Sequence, residues 1–391
     1  MTRTNLLRHR GDIGDDKVGF IELFFDLVFV FAIAQLSHLL LHDLTPIGAL
    51  KTLMLFLIVW WVWICTTWAT NFLSTDSLPV RFMLFAAMLF GLLMSTSIPD
   101  AFGGRALPFA IGVAALQVGR TAFLAFALRQ GGQMPQYRNF VRIGIWFAIA
   151  AIFWIAGALA DPETRLYLWG GALVAELATA FIGFWLPGLG RSTTRDWSVS
   201  GEHMAERCGL FVIIALGEAV MIAGATFTEL AWTTPHTLAF LAAVIAAIAM
   251  WWIYFNIGAE RAAHHFAHSE DPGALARTAY TYIHMPLVAG IVAMAVAVEL
   301  ALAHPQGHME PAMRWTACGA AFLFIGGNTL FKRATAGWFP LSHLAGLAIA
   351  VALFLAAPGL TPLQMIVAVA ALLVTVATWE TVSLRGTADR A

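Results

Sequence analysis

Twelve long runs of apolar residues limit what this chain can fold into more than any other feature. An α-helix needs about 20 apolar residues to cross the hydrocarbon core of a bilayer. The runs, each bounded by Pro, Gly or charged residues, lie near 20–41, 49–71, 80–98, 105–128, 140–160, 165–186, 203–224, 236–257, 277–303, 312–331, 340–357 and 362–383. Of the 391 residues, 60% are hydrophobic and 12% are charged, too few to cover a water-soluble globule. We therefore predict an all-α, polytopic membrane protein of about twelve transmembrane helices.

The basic residues predict how these helices are oriented, because cytoplasmic loops are enriched in Lys and Arg. With the N-terminus inside, the inner segments carry sixteen of the 22 basic residues and the outer segments carry four. The inner set is Arg3, Arg8, Arg10, Lys17, Arg81, Arg129, Arg138, Arg142, Arg191, Arg195, Arg261, Arg277, Lys332, Arg333, Arg385 and Arg390. The outer set is Lys51, Arg105, Arg165 and Arg314. Both termini are therefore predicted to be cytoplasmic.

The two halves of the chain echo one another weakly but in the same order. Glu22 precedes LFFDLVFVF and Glu206 precedes RCGLFVIIA, while WWVW from Trp60 corresponds to WWIY from Trp251. Such an order predicts a duplication into two parallel six-helix repeats. The predicted segments are a cytoplasmic N-terminal segment (1–19), the first repeat (20–186), a cytoplasmic linker (187–202), the second repeat (203–383) and a cytoplasmic tail (384–391).

Several charged side chains fall inside the predicted helices, where each costs about 2.5 to 3.5 kcal/mol unless it finds a partner or a hydrated path. Glu22 and Asp26 are spaced i, i+4 and share one helix face. His203, Arg207 and Glu218 share a face of the seventh helix. The predicted substrate or ion path comprises Glu22, Asp26, Arg120, Glu176, His203, Glu206, Arg207 and Glu218.

Two interpretations of these charges stay open. In the first, pairs such as Asp26 or Glu22 with Arg120 only hold the helices together. In the second, at least one carboxylate among Asp26, Glu176 and Glu218 binds or relays a cation or a proton. Burial suits such a role, because desolvation penalises the charged form of a carboxyl group and so favours proton exchange near neutral pH.

Motifs for catalysis, metal binding or cofactor binding are absent from the sequence. We find no P-loop, HExxH, GxSxG or CxxC, and we predict no enzymatic activity, metal or cofactor. A haem held by deep histidines, with His284 and His343 as candidates, is a further alternative. His264, His265 and His268 form either a solvated loop or a weak metal or pH-sensing site. No basic tract indicates a nucleic-acid partner, so membrane lipids and a proton or small cation are the expected partners.

Two sequence blocks carry a resemblance to a known family. VGFIELFFDLVFVFAIAQLSHLL at 18–40 and HMAERCGLFVIIALGEAVMIAG at 203–224 resemble the low temperature requirement protein A family of bacterial membrane proteins. The resemblance implies a bacterial cytoplasmic (inner) membrane location and a role in growth at low temperature. The residues that it carries over are Glu22, Asp26, Gln35, His38, Glu206, Arg207 and Glu218.

The stretch FFDLVFVFAI around Asp26 also resembles, more faintly, the first helix of lysosomal and bacterial potassium channels. This likeness is weakened by Leu210, which stands at the corresponding place in the seventh helix where those channels have Asp.

From these observations we predict a transporter or channel for protons or small cations that uses intramembrane carboxylates. The alternatives are a structural, regulatory or lipid-binding membrane protein, and a haem-binding redox protein.

Overall fold

The structure is a computed structural model that describes residues 6–8, 17–194, 197, 199–256 and 271–388. In this part of the chain, all regular structure is helical, with two isolated β-bridges. The described residues form twelve long helices: α1 Phe20–His42, α2 Pro46–Thr70, α3 Leu78–Ser97, α4 Ala106–Gln130, α5 Met134–Leu159, α6 Pro162–Thr179, α7 Gly201–Glu229, α8 Thr234–Phe255, α9 Pro272–Ala303, α10 Pro311–Ala336, α11 Leu341–Ala356 and α12 Pro362–Ala388.

Ten of these helices are long and apolar enough to cross a membrane, which agrees with the predicted membrane protein. The two that fall short are α6, which carries Glu163, Arg165 and Glu176 along 18 residues, and α10. The backbone N–H and C=O groups of a helix bond to one another, so apolar helices are one of the few structures that can span a lipid bilayer.

Local signals explain where most of the helices begin and end. Proline occupies the first turn of α3, α5, α6, α8 and α10, where its missing N–H has no intrahelical partner to lose. Helix α6 ends earlier than the predicted 186, because Gly183 and Phe184 take positive φ angles of 65° and 50°. Helix α12 continues to Ala388, beyond the predicted end at 383.

Several basic residues that we assigned to inner segments lie within helices, among them Arg142 and Lys332. Arg142 is part of α5, which starts at Met134, and its side chain donates to Asn139 Oδ1 over 2.8 Å. Lys332 is part of α10 and is buried. Helix α5 begins before the apolar run from which it was predicted, and α10 continues past the end of its run.

The described chain divides into two compact units. The first comprises the described parts of Met1–Leu39, Ile47–Arg207 and Ser269–Ala276, and so includes the first two turns of α7. Its core is rich in tryptophan, with Trp60, Trp63, Trp154 and Trp169 almost completely buried. The second comprises the described parts of Leu40–Pro46, Cys208–His268 and Arg277–Ala391.

Within each unit, a glycine allows two helices to approach closely. In the first unit, a Cβ on Gly112 of α4 would come within 2.8 Å of the carbonyl oxygen of Phe90 in α3. In the second, a Cβ on Gly290 of α9 would come within 2.7 Å of the backbone nitrogen of Phe324 in α10. Small residues at such crossings let membrane helices pack backbone against backbone.

The N-terminal residues Leu6–Arg8 pair with the chain that follows α2. Arg8 N donates to Phe72 O over 3.0 Å, and Ser74 N donates to Leu6 O over 2.9 Å. Leu6 and Leu7 are buried in this arrangement. The pairing fixes the position of Arg8 beside the beginning of α1.

Candidate functional site

Five titratable side chains of the first unit meet at the beginning of α1 and α7. Glu22 and Asp26 come from α1, His203 and Arg207 from α7, and Arg8 from the N-terminal segment. We call these five residues the acid–base cluster. Four of its side chains are completely buried, and the side chain of Arg8 is 7% exposed.

The carboxylate of Glu22 is surrounded by donors. Arg8 Nη2 donates to Oε2 over 3.1 Å, and His203 Nε2 lies 3.0 Å from Oε1. The backbone N–H of Gly19 donates to Oε2 over 2.8 Å. The guanidinium of Arg207 adds a fourth contact, with Nη1 at 3.6 Å from Oε1. Together these groups compensate the loss of water around a buried carboxylate.

The carboxylate of Asp26 is less fully partnered than that of Glu22. Arg207 Nη2 and Trp63 Nε1 both donate to its Oδ1, over 2.8 Å and 2.7 Å. Among the residues that the structure describes, Asp26 Oδ2 and the Nε and Nη1 atoms of Arg207 make no hydrogen bond. The pair therefore keeps polar atoms without hydrogen bonds, whereas buried polar atoms in proteins are normally hydrogen-bonded.

Asn71, just after α2, holds the start of α7 and the imidazole of His203 in position. Its side chain exchanges two hydrogen bonds of 2.9 Å with the backbone of Ser200. The same Nδ2 lies 3.3 Å from His203 Nδ1. If Nδ1 accepts from this amide, Nε2 carries the proton of a neutral imidazole and faces Glu22 as a donor.

An open cavity of about 690 Å³ lies beside the acid–base cluster, within the first unit. Arg8 lines this cavity and also contacts Glu22, so one side chain separates the cavity from the buried carboxylate. Glu22 and Asp26 are in turn joined through Arg207. The groups thus form a continuous series from the cavity to Asp26.

A second polar cluster of the first unit is held together by an amide, and we call it the amide-bridged cluster. Arg120 Nη2 donates to Gln117 Oε1, and Gln117 Nε2 donates to Glu176 Oε2. Trp154 Nε1 donates to the other Glu176 oxygen over 2.8 Å, and Arg120 Nη1 donates to Thr66 Oγ1 over 2.9 Å. All five side chains are buried. Glu176 and Arg120 are therefore connected through a neutral group.

The predicted pairing of Arg120 with Glu22 or Asp26 is wrong. Asp26 is paired by Arg207, and Arg120 turns to the amide-bridged cluster. Arg120 directly follows a π-helical segment of α4, Ala115–Gly119. Such a wide turn changes the direction in which the following side chains project, so a regular helical period misplaces them.

The remaining predicted site residues lie apart from these clusters or at their edge. Glu206 is exposed, and its Oε2 accepts from the backbone N–H of Val18 over 3.1 Å. Glu218 is half-buried and belongs to the second unit. Of the residues carried over by resemblance, Gln35 is half-buried and His38 is exposed.

The second unit contains a buried ion pair of its own. Lys332 Nζ lies 2.6 Å from each carboxylate oxygen of Glu380, donates to Ile253 O over 3.2 Å, and lies 3.1 Å from His343 Nε2. The other imidazole nitrogen of His343 lies 3.2 Å from Ser342 Oγ. The pair joins α10 to α12.

The two deep histidines offer little to a haem. His284 Nδ1 contacts Ala279 O at 2.8 Å and its Nε2 contacts the Tyr254 hydroxyl at 2.9 Å, while both nitrogens of His343 also have protein partners. Among the described residues, no group of three or more His, Cys, Asp or Glu side chains is arranged to hold a metal ion. His264, His265 and His268 lie outside the described residues.

Three important members of these contacts were not singled out from the sequence. Arg8 was counted only as an inner basic residue, Trp63 was treated as a packing aromatic, and Asn71 was not considered. Of the three, only Trp63 could have been found from the sequence, because it ends the WWVW motif that begins at Trp60. A buried indole N–H usually requires a hydrogen-bond acceptor.

Comparison with known proteins gives a family and a similar bacterial protein. Residues 17–378 match the family described as bacterial low temperature requirement A protein (LtrA). The chain is 38% identical over 371 residues to an uncharacterized protein of Rhizobium meliloti (strain 1021), covering 94% of this chain and 90% of that protein. No solved structure matches.

Proposed function

This chain belongs to the bacterial low temperature requirement A (LtrA) family of membrane proteins, and from that premise we propose that it is a transporter or channel for protons or small cations. The path includes Glu22 and Asp26. Neither catalysis nor a bound cofactor is part of this proposal.

One observation carries the proposal: the guanidinium of Arg207 lies between two buried carboxylates. It is 2.8 Å from Asp26 and 3.6 Å from Glu22. Ionisable groups are expensive inside a membrane and mark ion paths and proton relays in many membrane proteins. The cavity beside Arg8 supplies an approach to this arrangement from outside the core.

The geometry supports a simple exchange step. When a proton binds the Asp26 carboxylate, the attraction between Asp26 and Arg207 falls, and Arg207 shifts toward Glu22. When the proton leaves, Arg207 returns to Asp26. Asp26 Oδ2, which has no hydrogen-bond partner among the described residues, is the oxygen that receives the proton. A small cation that replaces the proton would compete with Arg207 in the same way.

We further propose that all twelve helices cross the bacterial inner membrane, as two parallel six-helix repeats with both termini in the cytoplasm. The charges of α6 support this topology, because Glu176 is buried in the amide-bridged cluster and Arg165 donates to the backbone oxygens of Gly157 and Ala160. A helix whose charged groups are satisfied in this way can cross lipid despite its lower hydropathy.

A structural role is the competing function, and one observation favours it. The acid–base cluster balances two carboxylates, Glu22 and Asp26, against two guanidinium groups, Arg8 and Arg207. A balanced, buried network can serve only to lock the start of α1 against its neighbours.

The test is flux through the purified full chain in proteoliposomes that enclose a pH-sensitive dye, under an imposed pH gradient, with parallel assays of Na⁺ and K⁺ uptake. The wild type should carry protons or one of these cations. Asp26→Asn should slow that flux roughly tenfold or more, which corresponds to about 1.4 kcal/mol in the barrier. Asp26→Glu should restore part of it.

Glu299→Gln is the matched control, because Glu299 is a half-buried carboxylate of α9 that belongs to neither cluster. Its flux should equal that of the wild type. Size-exclusion profiles and thermal unfolding must show that each variant is folded. Folded wild-type protein that carries none of these ions, or unchanged flux in folded Asp26→Asn and Glu22→Gln, would reject the transport proposal in favour of the structural one.

A further inference from the structure

The lining of the cavity beside Arg8 carries more positive charge than a path for protons or cations requires. Its described lining contains three basic residues, Arg8, Lys17 and Arg81, and a single acid, Asp76. Asp76 lies 3.2 Å from Arg81, but the two side chains are 91% and 44% exposed, so water weakens their attraction. Arg8 is paired with the buried Glu22, so Lys17 and Arg81 are the basic groups that the lining offers to an anionic ligand.

Large aromatic side chains stand beside these basic groups. Phe20 and Phe24 of α1 and Phe85 of α3 line the same cavity, and they are 91%, 56% and 43% exposed. Phe82, which is 67% exposed, packs against Phe85 with ring centroids 6.4 Å apart. In a membrane protein, such an apolar surface meets acyl chains.

The position of the cavity along the helices fits the boundary between headgroups and acyl chains. Helix α1 begins at Phe20 and α3 at Leu78, and both are candidate membrane spans. Lys17 precedes the first span and Arg81 lies in the first turn of the third. Basic residues at the end of a span lie at headgroup level, with apolar residues deeper in the bilayer.

We propose that this cavity binds an anionic phospholipid. The headgroup phosphate lies between Lys17 and Arg81, with Arg8 behind it, and the acyl chains pack along Phe20, Phe24 and Phe85. Basic pockets beside membrane helices are suited to anionic headgroups. A soluble phosphate would use the basic groups but would leave the phenyl rings in contact with bulk lipid. The site shares Arg8 and the cavity with the proposed ion path, but lipid binding there does not require that ions be transported.

The test is lipid binding by the purified full chain in detergent, measured by native mass spectrometry with phosphatidylglycerol and phosphatidylcholine of identical acyl chains. The wild type should bind phosphatidylglycerol more tightly. Lys17→Gln and Arg81→Gln should each reduce that affinity roughly fivefold, and the double variant should lose most of the preference. Arg138→Gln, which removes an exposed basic residue outside the cavity lining, should bind as the wild type does.

Lys17→Gln keeps the test decisive if Arg81→Gln fails to fold, because the Lys17 side chain is exposed. Equal affinity for the two lipids, or an unchanged preference in folded Lys17→Gln and Arg81→Gln, would overturn the proposal. Inorganic phosphate that competes fully with phosphatidylglycerol at millimolar concentration would also overturn it, by showing a site for free anions. Flux is not measured here, so loss of the lipid site and loss of the transport function remain distinguishable.

Discussion

Arg207 donates a hydrogen bond to Asp26 over 2.8 Å, although 181 residues separate the two in the sequence. Both side chains are fully buried, and the Arg207 guanidinium also lies 5.7 Å from the centre of the Trp63 ring. The contact joins the start of α7 to α1 inside the first unit. Removing one partner leaves the other charge buried without compensation, which is far more costly than removing both.

We therefore expect Arg207→Gln to lower the free energy of unfolding by about 3 to 5 kcal/mol, with Asp26→Asn/Arg207→Gln much less destabilised than the sum of the single variants. Denaturant titration in detergent measures each corner of this double-mutant cycle. Asp26→Asn combined with Arg120→Gln is the matched control, because Arg120 contacts other residues, and its two effects should add. Additive effects in the Arg207 cycle would contradict the observed pair.

The buried pair of Lys332 and Glu380 makes a parallel prediction for the second unit. Lys332→Met should destabilise the protein by about 3 to 5 kcal/mol, because Glu380 would keep a buried charge. Lys332→Met/Glu380→Leu should recover most of this loss, since neither charge remains. Thermal unfolding in detergent provides the comparison. If the double variant is no more stable than Lys332→Met, the two side chains are not energetically coupled.

The N-cap of α6 predicts a pH dependence outside the membrane-spanning segments. Hydrogen bonds donated by Thr164, chiefly from its backbone N–H, hold the pKa of the Asp161 carboxyl below its usual value of 3.8. Because the folded pKa is lowered, the stabilisation by this carboxylate is fully present above the unfolded pKa and is lost as pH falls through the folded pKa.

Asp161→Asn keeps a side-chain oxygen that can cap the helix but does not titrate. We expect the wild type to be the more stable of the two at pH 7, with the difference shrinking as pH falls below 3.8. Thermal unfolding of the two proteins side by side measures that difference and cancels the titration of all shared groups. A difference that stays constant between pH 7 and pH 3 would show that Asp161 does not stabilise the cap through its charge.

The sequence by itself determined the helices and placed four of the buried titratable residues on them. Each of the twelve apolar runs coincides with a helix of the described residues, within a few residues at most ends, and ten of these helices are long and apolar enough to cross a membrane. The spacing of Glu22 and Asp26 placed both on one helix face, and His203 and Arg207 likewise share a face. The structure brings these four residues together.

Only the tertiary structure decided which charge meets which partner. Arg207, not Arg120, pairs with Asp26. Arg8 joins the acid–base cluster from the predicted N-terminal segment, and Trp63, from a predicted packing motif, donates to Asp26. The helical period fixes the direction in which each side chain leaves its helix, but not the neighbouring helix that it meets. The π-helical turn before Arg120 changes even the side-chain direction. Partner choice depends on contacts between residues far apart in the chain, where hydrogen-bond geometry and burial select among several nearby charges.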